Sequence, residues 1–155
     1  MRAQLTYVIL LWKEVDTMNR EFIGDVIFDF NKTLKLEIEN EFKPYNIGVG
    51  QLQILLELYN DNNKIYRQSE LVSILDIDKS NASRNITKLE DKGLVEVFLI
   101  NKREKGIKLT ELCVSHRRKI ILSLQNISKK MTNNISIDEL NVVVEVIKKM
   151  NNNLK

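Results

Sequence analysis

The sequence is poor in the residues that most catalytic and metal-binding sites need. It has one cysteine and one histidine in 155 residues. A single cysteine excludes an internal disulfide framework and fits a reducing compartment, so we predict a cytoplasmic protein. A single histidine excludes most zinc sites and most histidine-based catalysis. The sequence also has no glycine-rich phosphate loop and no Ser/His/Asp set. We therefore predict a protein that is not an enzyme and that needs no metal and no cofactor.

Proline and glycine are also scarce, at one and five residues, so few turns are forced and long helices are expected. The longest apolar run near the start, Leu5 to Trp12, is far below the roughly 20 residues that a membrane helix needs. It also lacks the cleavage site of a secretory signal. We predict no membrane association, and we interpret residues 1–19 as an arm that packs on another helix or on a partner subunit.

The formal net charge is only +3, but the charges are unevenly distributed. Residues 1–63 hold 6 Lys/Arg against 10 Asp/Glu, residues 64–110 hold 10 against 7, and residues 111–155 hold 8 against 4. A basic centre and tail behind an acidic front is compatible with nucleic-acid contact through one region. Ordinary solvated faces explain the same distribution equally well, so charge alone identifies no partner.

Apolar periodicity predicts helices on both sides of a central region. An apolar stripe at steps of three and four residues predicts a helix over residues 20–42, which Pro44 ends. A second helix follows Gly50. Ser69 is expected to cap a short third helix. Asp78 or Ser80 is expected to cap a fourth, which Gly93 closes.

After Gly93 the period changes to that of strands. Residues 94–100 are rich in β-branched and aromatic types, residues 101–106 are polar, and residues 107–109 alternate, which predicts a β-hairpin with a charged tip. Thr110 opens a long helix, and a capping-box pattern from Ser136 to Glu139 starts a last one. Two short helices joined by a tight turn and followed by a hairpin predict a winged helix-turn-helix.

The fourth predicted helix has the polar face that a DNA-recognition helix needs, because the major groove admits one α-helix. Arg84 is expected to contact a guanine edge with two hydrogen bonds, and Asn81 an adenine edge. The other outward side chains are better placed for phosphates, which position a protein on DNA without selecting a sequence. The outward set is Lys79, Ser80, Asn81, Ser83, Arg84, Thr87 and Lys88.

At these residues the sequence resembles the MarR-type (multiple antibiotic resistance regulator) transcription factors. The motifs that carry the resemblance are Gln68-Ser69-Glu70-Leu71, Ile77 to Arg84, Lys88 to Val95 and Leu109-Thr110. The resemblance extends from about Arg20 to the C-terminus. It implies a homodimer that binds double-stranded DNA, and DNA binding that a small ligand or oxidant modulates.

From the resemblance and the pattern we predict a mainly α fold with a small β-hairpin wing, organised as a single domain over residues 1–155. Residues 1–48 are the predicted N-terminal arm and dimerisation helix, and residues 49–110 the winged helix-turn-helix lobe that binds DNA. Residues 111–155 are the predicted C-terminal dimerisation helices. The partner is an operator with pseudo-twofold symmetry.

Two positions depart from the family pattern. Asp76 stands where the family usually has glycine, and Asn101 stands near a position that is usually aspartate. The turn of the wing is also about two residues shorter. We predict Arg103 as the minor-groove contact, with Lys102 and Lys105 as rivals.

The sequence is also compatible with two other functions. The winged fold also serves as a protein-interaction module that does not bind DNA. Cys113 and His116 lie three residues apart on the helix after the wing, which is compatible with a metal- or redox-responsive sensor. A buried cysteine that acts only as a small hydrophobic residue is the simpler interpretation.

Overall fold

The computed structural model describes residues 22–102 and 104–155. The predicted arm at residues 1–19 and the predicted contact Arg103 therefore lie outside the described residues. The chain divides into two units, Met1–Leu36 and Glu37–Lys155. This division falls inside the first helix described below.

Six α-helices and three strands lie within the described residues, which confirms the predicted mainly α fold with a small wing. The helices are α1 (Ile23–Phe42), α2 (Val49–Leu58), α3 (Gln68–Leu75), α4 (Lys79–Asp91), α5 (Glu111–Met131) and α6 (Ile137–Asn153), and the strands are β1 (Tyr66–Arg67), β2 (Val95–Asn101) and β3 (Glu104–Leu109). A short 3-10 helix, Lys43–Tyr45, follows α1 at Pro44. None of the described helices combines the length and the hydropathy that crossing a membrane requires.

The strands form one antiparallel sheet in the order β1-β3-β2. Ile107 on the central strand pairs with Tyr66 on one side and with Val97 on the other. Strand β2 continues to Asn101 and β3 begins at Glu104, so both strands extend into the stretch predicted as a turn. The predicted six-residue turn is therefore wrong, and Lys105 lies in a strand opposite Leu99.

Gly106 explains why the polar stretch continues as a strand. It is buried, and a β-carbon on it would lie 3.0 Å from both Phe98 and Ile100. The absence of a side chain therefore lets β3 pass directly beneath the apolar residues of β2. A glycine in such a sequence looks like a turn signal, although its role here is close packing.

The ends of the short helices are set by local hydrogen bonds and by left-handed residues. Asp76 ends α3 with φ 49°, and Gly93 follows α4 with φ 67°. Aspartate is one of the few residues besides glycine that adopt this conformation, which explains how a residue other than glycine ends α3. The expected cap by Ser69 is wrong, because α3 begins at Gln68 and Arg67 is its N-cap.

The core of Glu37–Lys155 lies where α2, α3 and α4 pack against each other and the sheet. Four residues at the centre of this core are fully buried, namely Leu55, Leu71, Leu89 and Ile107. Each comes from a different element, so the core fixes the orientation of α4 relative to the wing. In contrast, α6 has no buried residue.

Candidate nucleic-acid interface

The N-terminal end of α4 is fixed by Asp78, which is its N-cap. The carboxylate oxygen Oδ1 of Asp78 accepts a hydrogen bond of 2.7 Å from the backbone N–H of Asn81 and one of 2.5 Å from the hydroxyl of Ser80. Of the two predicted caps, Asp78 is therefore the one used. The Ser80 hydroxyl is predicted to contact a phosphate, but here it donates to Asp78.

The C-terminal end of α4 is held to α2 and to the residue Asn46 that precedes α2. The Lys92 ammonium donates to the backbone carbonyl of Asn46 and, at 2.5 Å, to Oε1 of the buried Gln51. Burial lowers the pKa of Lys92, and the nearby charge of Lys88 adds to this effect. Both ends of α4 are thus held, which keeps its exposed face in one orientation.

The faces of α4 agree with the sequence-based prediction. Ala82, Ile86 and Leu89 are buried. Asn81 and Ser83 are half-buried at the edge of the outward face, and the remaining predicted contacts are exposed. These exposed side chains are Lys79, Ser80, Arg84, Thr87 and Lys88.

A groove brings part of the predicted set together. It lies between α3, the N-terminal half of α4 and strand β3. Its lining residues are Gln68, Ser69, Val72, Lys79, Ser80, Ser83, Glu104 and Lys105. Four predicted contacts therefore line one concave surface, although they are separated by up to 26 residues in the sequence, from Lys79 to Lys105.

Glu104 is a residue of this groove that the sequence analysis missed. Its Oε1 accepts a hydrogen bond of 3.0 Å from the hydroxyl of Ser69, and its Oε2 lies 3.6 Å from the guanidinium of Arg67. These contacts join the start of β3, next to the tip of the wing, to the start of α3. No local sequence pattern indicates them, because the partners are more than 30 residues apart.

Asn85 is a second residue that the sequence analysis missed. Its side-chain amide Nδ2 donates to Oδ1 of Asn81 at 2.8 Å and to the backbone carbonyl of Asn81 at 3.1 Å. The signal available in the sequence was the spacing of four residues between two amide side chains, which places them side by side on a helix.

The wing supplies two described basic residues. Lys102 lies in the turn and is exposed, and Lys105 lies in β3 and is also exposed. The choice among Arg103, Lys102 and Lys105 for a minor-groove contact remains a prediction.

Comparison with known proteins shows which family part of the chain resembles. Residues 45–97 match the model of the MarR family. This segment runs from the 3-10 helix through α2, α3 and α4 into β2. This part of the chain is similar to the MarR family.

Solved structures share the fold of this chain over most of its length. A MarR transcriptional regulator from Methanosarcina mazei Go1 is 24% identical, with a TM-score of 0.75 over 92% of this chain and 96% of that one. The MepR–DNA complex from S. aureus has a TM-score of 0.80 at 17% identity, over 88% and 100%. A mutant MarR from E. coli complexed with operator DNA has a TM-score of 0.73 at 22% identity, over 83% and 92%. No curated protein matches the sequence.

Cys113 is in a position poorly suited to sensing. It is completely buried, and its sulfur lies 3.2 Å from the hydroxyl of Tyr59. Burial raises the pKa of the Cys113 thiol, which lowers the fraction of reactive thiolate. Within residues 22–102 and 104–155, no three His, Cys, Asp or Glu side chains cluster as a metal site would require. These facts favour the simpler interpretation of a buried hydrophobic residue.

We expect Asp78→Ala to lower the melting temperature by a few degrees at pH 7, because the N–H groups in the first turn of α4 lose their acceptor. Asp78→Asn is the matched control, since asparagine caps helices as well as aspartate but does not titrate. Circular dichroism melts of the three proteins measure the effect. An unchanged melting temperature in Asp78→Ala would show that the cap contributes nothing.

The same cap predicts a pH dependence. The hydrogen bond from Ser80, followed by that from the backbone of Asn81, lowers the pKa of Asp78. Since the folded pKa lies below the unfolded value of about 4, the stabilisation is complete above that value. It is lost as the pH falls through the lower folded pKa. The wild type should therefore lose stability relative to Asp78→Asn in this range, and a constant difference between their melting temperatures from pH 7 to pH 2 would contradict the assignment.

Proposed function

We propose that this protein is a sequence-specific DNA-binding transcriptional regulator. It acts as a homodimer on a pseudo-palindromic operator, and a small ligand modulates its binding. The observation that carries the proposal is α4, which is held at both ends by Asp78 and Lys92 and exposes a polar and basic face beside the wing. The DNA-bound structures of MepR and of the MarR mutant have the same fold, which supports this assignment.

In this proposal α4 enters the major groove. Arg84 forms the paired hydrogen bonds to a guanine edge, for which its planar guanidinium is suited. Lys79 and Lys105 line the groove between α4 and β3 and bind phosphates of the DNA backbone there. The wing then reaches the adjacent minor groove.

The proposed homodimer accounts for apolar surface that the single chain leaves exposed. Helix α6 has a capping box and an apolar stripe, yet it buries no residue. Val143 and Ile147 at the centre of this stripe are 51% and 52% exposed. Contiguous apolar surface of this kind marks an interaction site. The dimer places two recognition helices in successive major grooves, roughly 34–36 Å apart.

The experiment that tests the proposal is selection of bound DNA from a pool of random duplexes at low salt. We expect two inverted half-sites whose centres lie about 10 base pairs apart. Repeating the selected binding reaction with candidate effectors tests ligand modulation. If no sequence is enriched, the protein is instead a winged-helix module that binds other proteins.

Lys79 is expected to contribute to affinity without contributing to sequence preference. Lys79→Ala should weaken binding to the operator and to an unrelated duplex by the same factor. It should also reduce the slope of log K against log salt concentration by about 1, because one fewer phosphate is neutralised. Fluorescence anisotropy at four or more salt concentrations measures both quantities.

Lys129→Ala is the control for Lys79→Ala, since it removes an equally charged, exposed side chain from the far end of α5. Its salt slope should equal that of the wild type. Equal slopes for all three proteins would remove Lys79 from the phosphate contacts.

A further inference from the structure

Asn81 and Asn85 form a pair of amides on α4, one turn apart. The Asn85 Nδ2 group donates to the side-chain Oδ1 of Asn81 at 2.8 Å and to its backbone carbonyl at 3.1 Å. Both residues are half-buried, so they lie between the outward face of α4 and the face that packs on α2. The Asn81 side chain is therefore held in one orientation by its neighbour.

Gly50 on α2 provides the space that Asn85 occupies. A β-carbon on Gly50 would lie 2.6 Å from Asn85 Nδ2 and 3.1 Å from its Cγ. Any side chain at position 50 would therefore push the Asn85 amide away from its place. The hydrogen bonds to Asn81 and the close approach to Gly50 together fix the position of the Asn85 amide.

We propose that Asn85, seated against Gly50, orients the Asn81 amide so that its NH2 group is presented to DNA. Asn85 is thus a positioning residue for base recognition, and this inference rests on the proposed function. With Oδ1 of Asn81 turned toward Asn85, the outward end of the amide is a hydrogen-bond donor. Its partner in the major groove is an acceptor, namely a purine N7, guanine O6 or thymine O4. This differs from the bidentate adenine contact predicted from the sequence, for which Oδ1 must also face the base.

The inference predicts opposite effects of two substitutions at one site. Asn85→Ala releases the Asn81 amide, so the preference at the base pair that Asn81 contacts should fall about tenfold. Asn85→Asp has nearly the same shape, but it can only accept hydrogen bonds. It should attract the Asn81 NH2 group and turn Oδ1 toward the DNA. The preference should then move to a base edge that donates, adenine N6 or cytosine N4.

The test is random-duplex selection with the wild type, Asn81→Ala, Asn85→Ala, Asn85→Asp and the Asn81→Ala/Asn85→Ala double variant. Ratios of affinity between operators that differ at one base pair are compared, because a ratio is insensitive to the general loss caused by a new negative charge. Asn85→Ala and Asn81→Ala should alter the same base pair. The double variant should match Asn81→Ala, since Asn85 acts through Asn81.

Thermal melts separate this role from simple packing between α2 and α4. A purely structural Asn85 would lower the melting temperature and leave the base preference unchanged, and that result would overturn the inference.

Gly50→Ala displaces the same amide from the side of α2, so it should reproduce the altered base preference. If Asn85→Ala fails to fold, the base preferences of Gly50→Ala and Asn85→Asp test whether Asn85 orients Asn81. A wild type that selects no sequence refutes the proposed function itself, whereas a wild type with a clear operator and unaltered Asn85 and Gly50 variants refutes only this inference.

Discussion

Replacing both Val143 and Ile147 with glutamate is expected to convert the protein to a monomer and to reduce operator affinity about 100-fold or more. The two side chains lie four residues apart, so they occupy one face of α6. About half of each is exposed in the single chain, and the proposed dimer covers them. A carboxylate in that apolar contact would lose its hydration without gaining a partner, which opposes association strongly.

The loss of operator affinity follows from the geometry of two linked half-sites. When one lobe of a dimer has bound, the second binds as an intramolecular event at high effective concentration, which increases overall affinity by about 10²- to 10⁴-fold. A monomer with an intact α4 retains only the affinity of one half-site. Sedimentation velocity and operator titrations measure the two parts of the prediction.

Asn141→Glu/Asn152→Glu is the matched control, because it places the same two charges on the opposite face of the same helix. This control should remain a dimer and bind the operator as the wild type does. If the Val143/Ile147 variant is dimeric, α6 is not the interface. If it is monomeric but binds at full affinity, the operator is recognised by single lobes.

Features that depend on short stretches of sequence could be predicted well. The apolar stripe of α4 correctly predicted its buried face. Asp78 could be predicted as one of two possible caps, because a cap is a contact between residues two or three positions apart. The same holds for Thr110, whose hydroxyl accepts from the N–H of Cys113 at 3.1 Å, and for the capping box at Ser136. In each case the interacting groups are neighbours in the sequence.

Features that depend on distant residues could not be predicted. Glu104 accepts a hydrogen bond from Ser69 and forms an ion pair with Arg67, and both partners are distant from it in the sequence. The polar composition of residues 101–106 predicted a long turn. Gly106 instead belongs to β3, because only a residue without a side chain fits beneath Phe98. The environment of Asn81 was missed for the same reason, since the position of Asn85 depends on the packing of α2 against α4. Periodicity therefore identified the outward face of α4, but it gave no information on how each side chain on that face is oriented.

Arg84→Ala is expected to lower the affinity for the selected operator about 10- to 100-fold and to remove the preference at one base pair, which corresponds to roughly 1–3 kcal/mol. Arg84 is exposed near the middle of α4, and its charge lies close enough to the Asp78 carboxylate to lower the pKa of that group. The guanidinium is available to form two parallel hydrogen bonds to guanine O6 and N7. Competition titrations with operators that carry each base pair in turn measure the change.

Arg84→Lys separates the loss of charge from the loss of geometry. Lysine keeps the positive charge, so binding to an unrelated duplex and the dependence on salt should be close to those of the wild type. It lacks the planar fork of the guanidinium, so preference at the guanine should still weaken. If both variants select the wild-type sequence with wild-type affinity, Arg84 does not contact a base. If Arg84→Ala weakens all sequences equally and Arg84→Lys restores binding fully, Arg84 is instead a phosphate contact like the one proposed for Lys79.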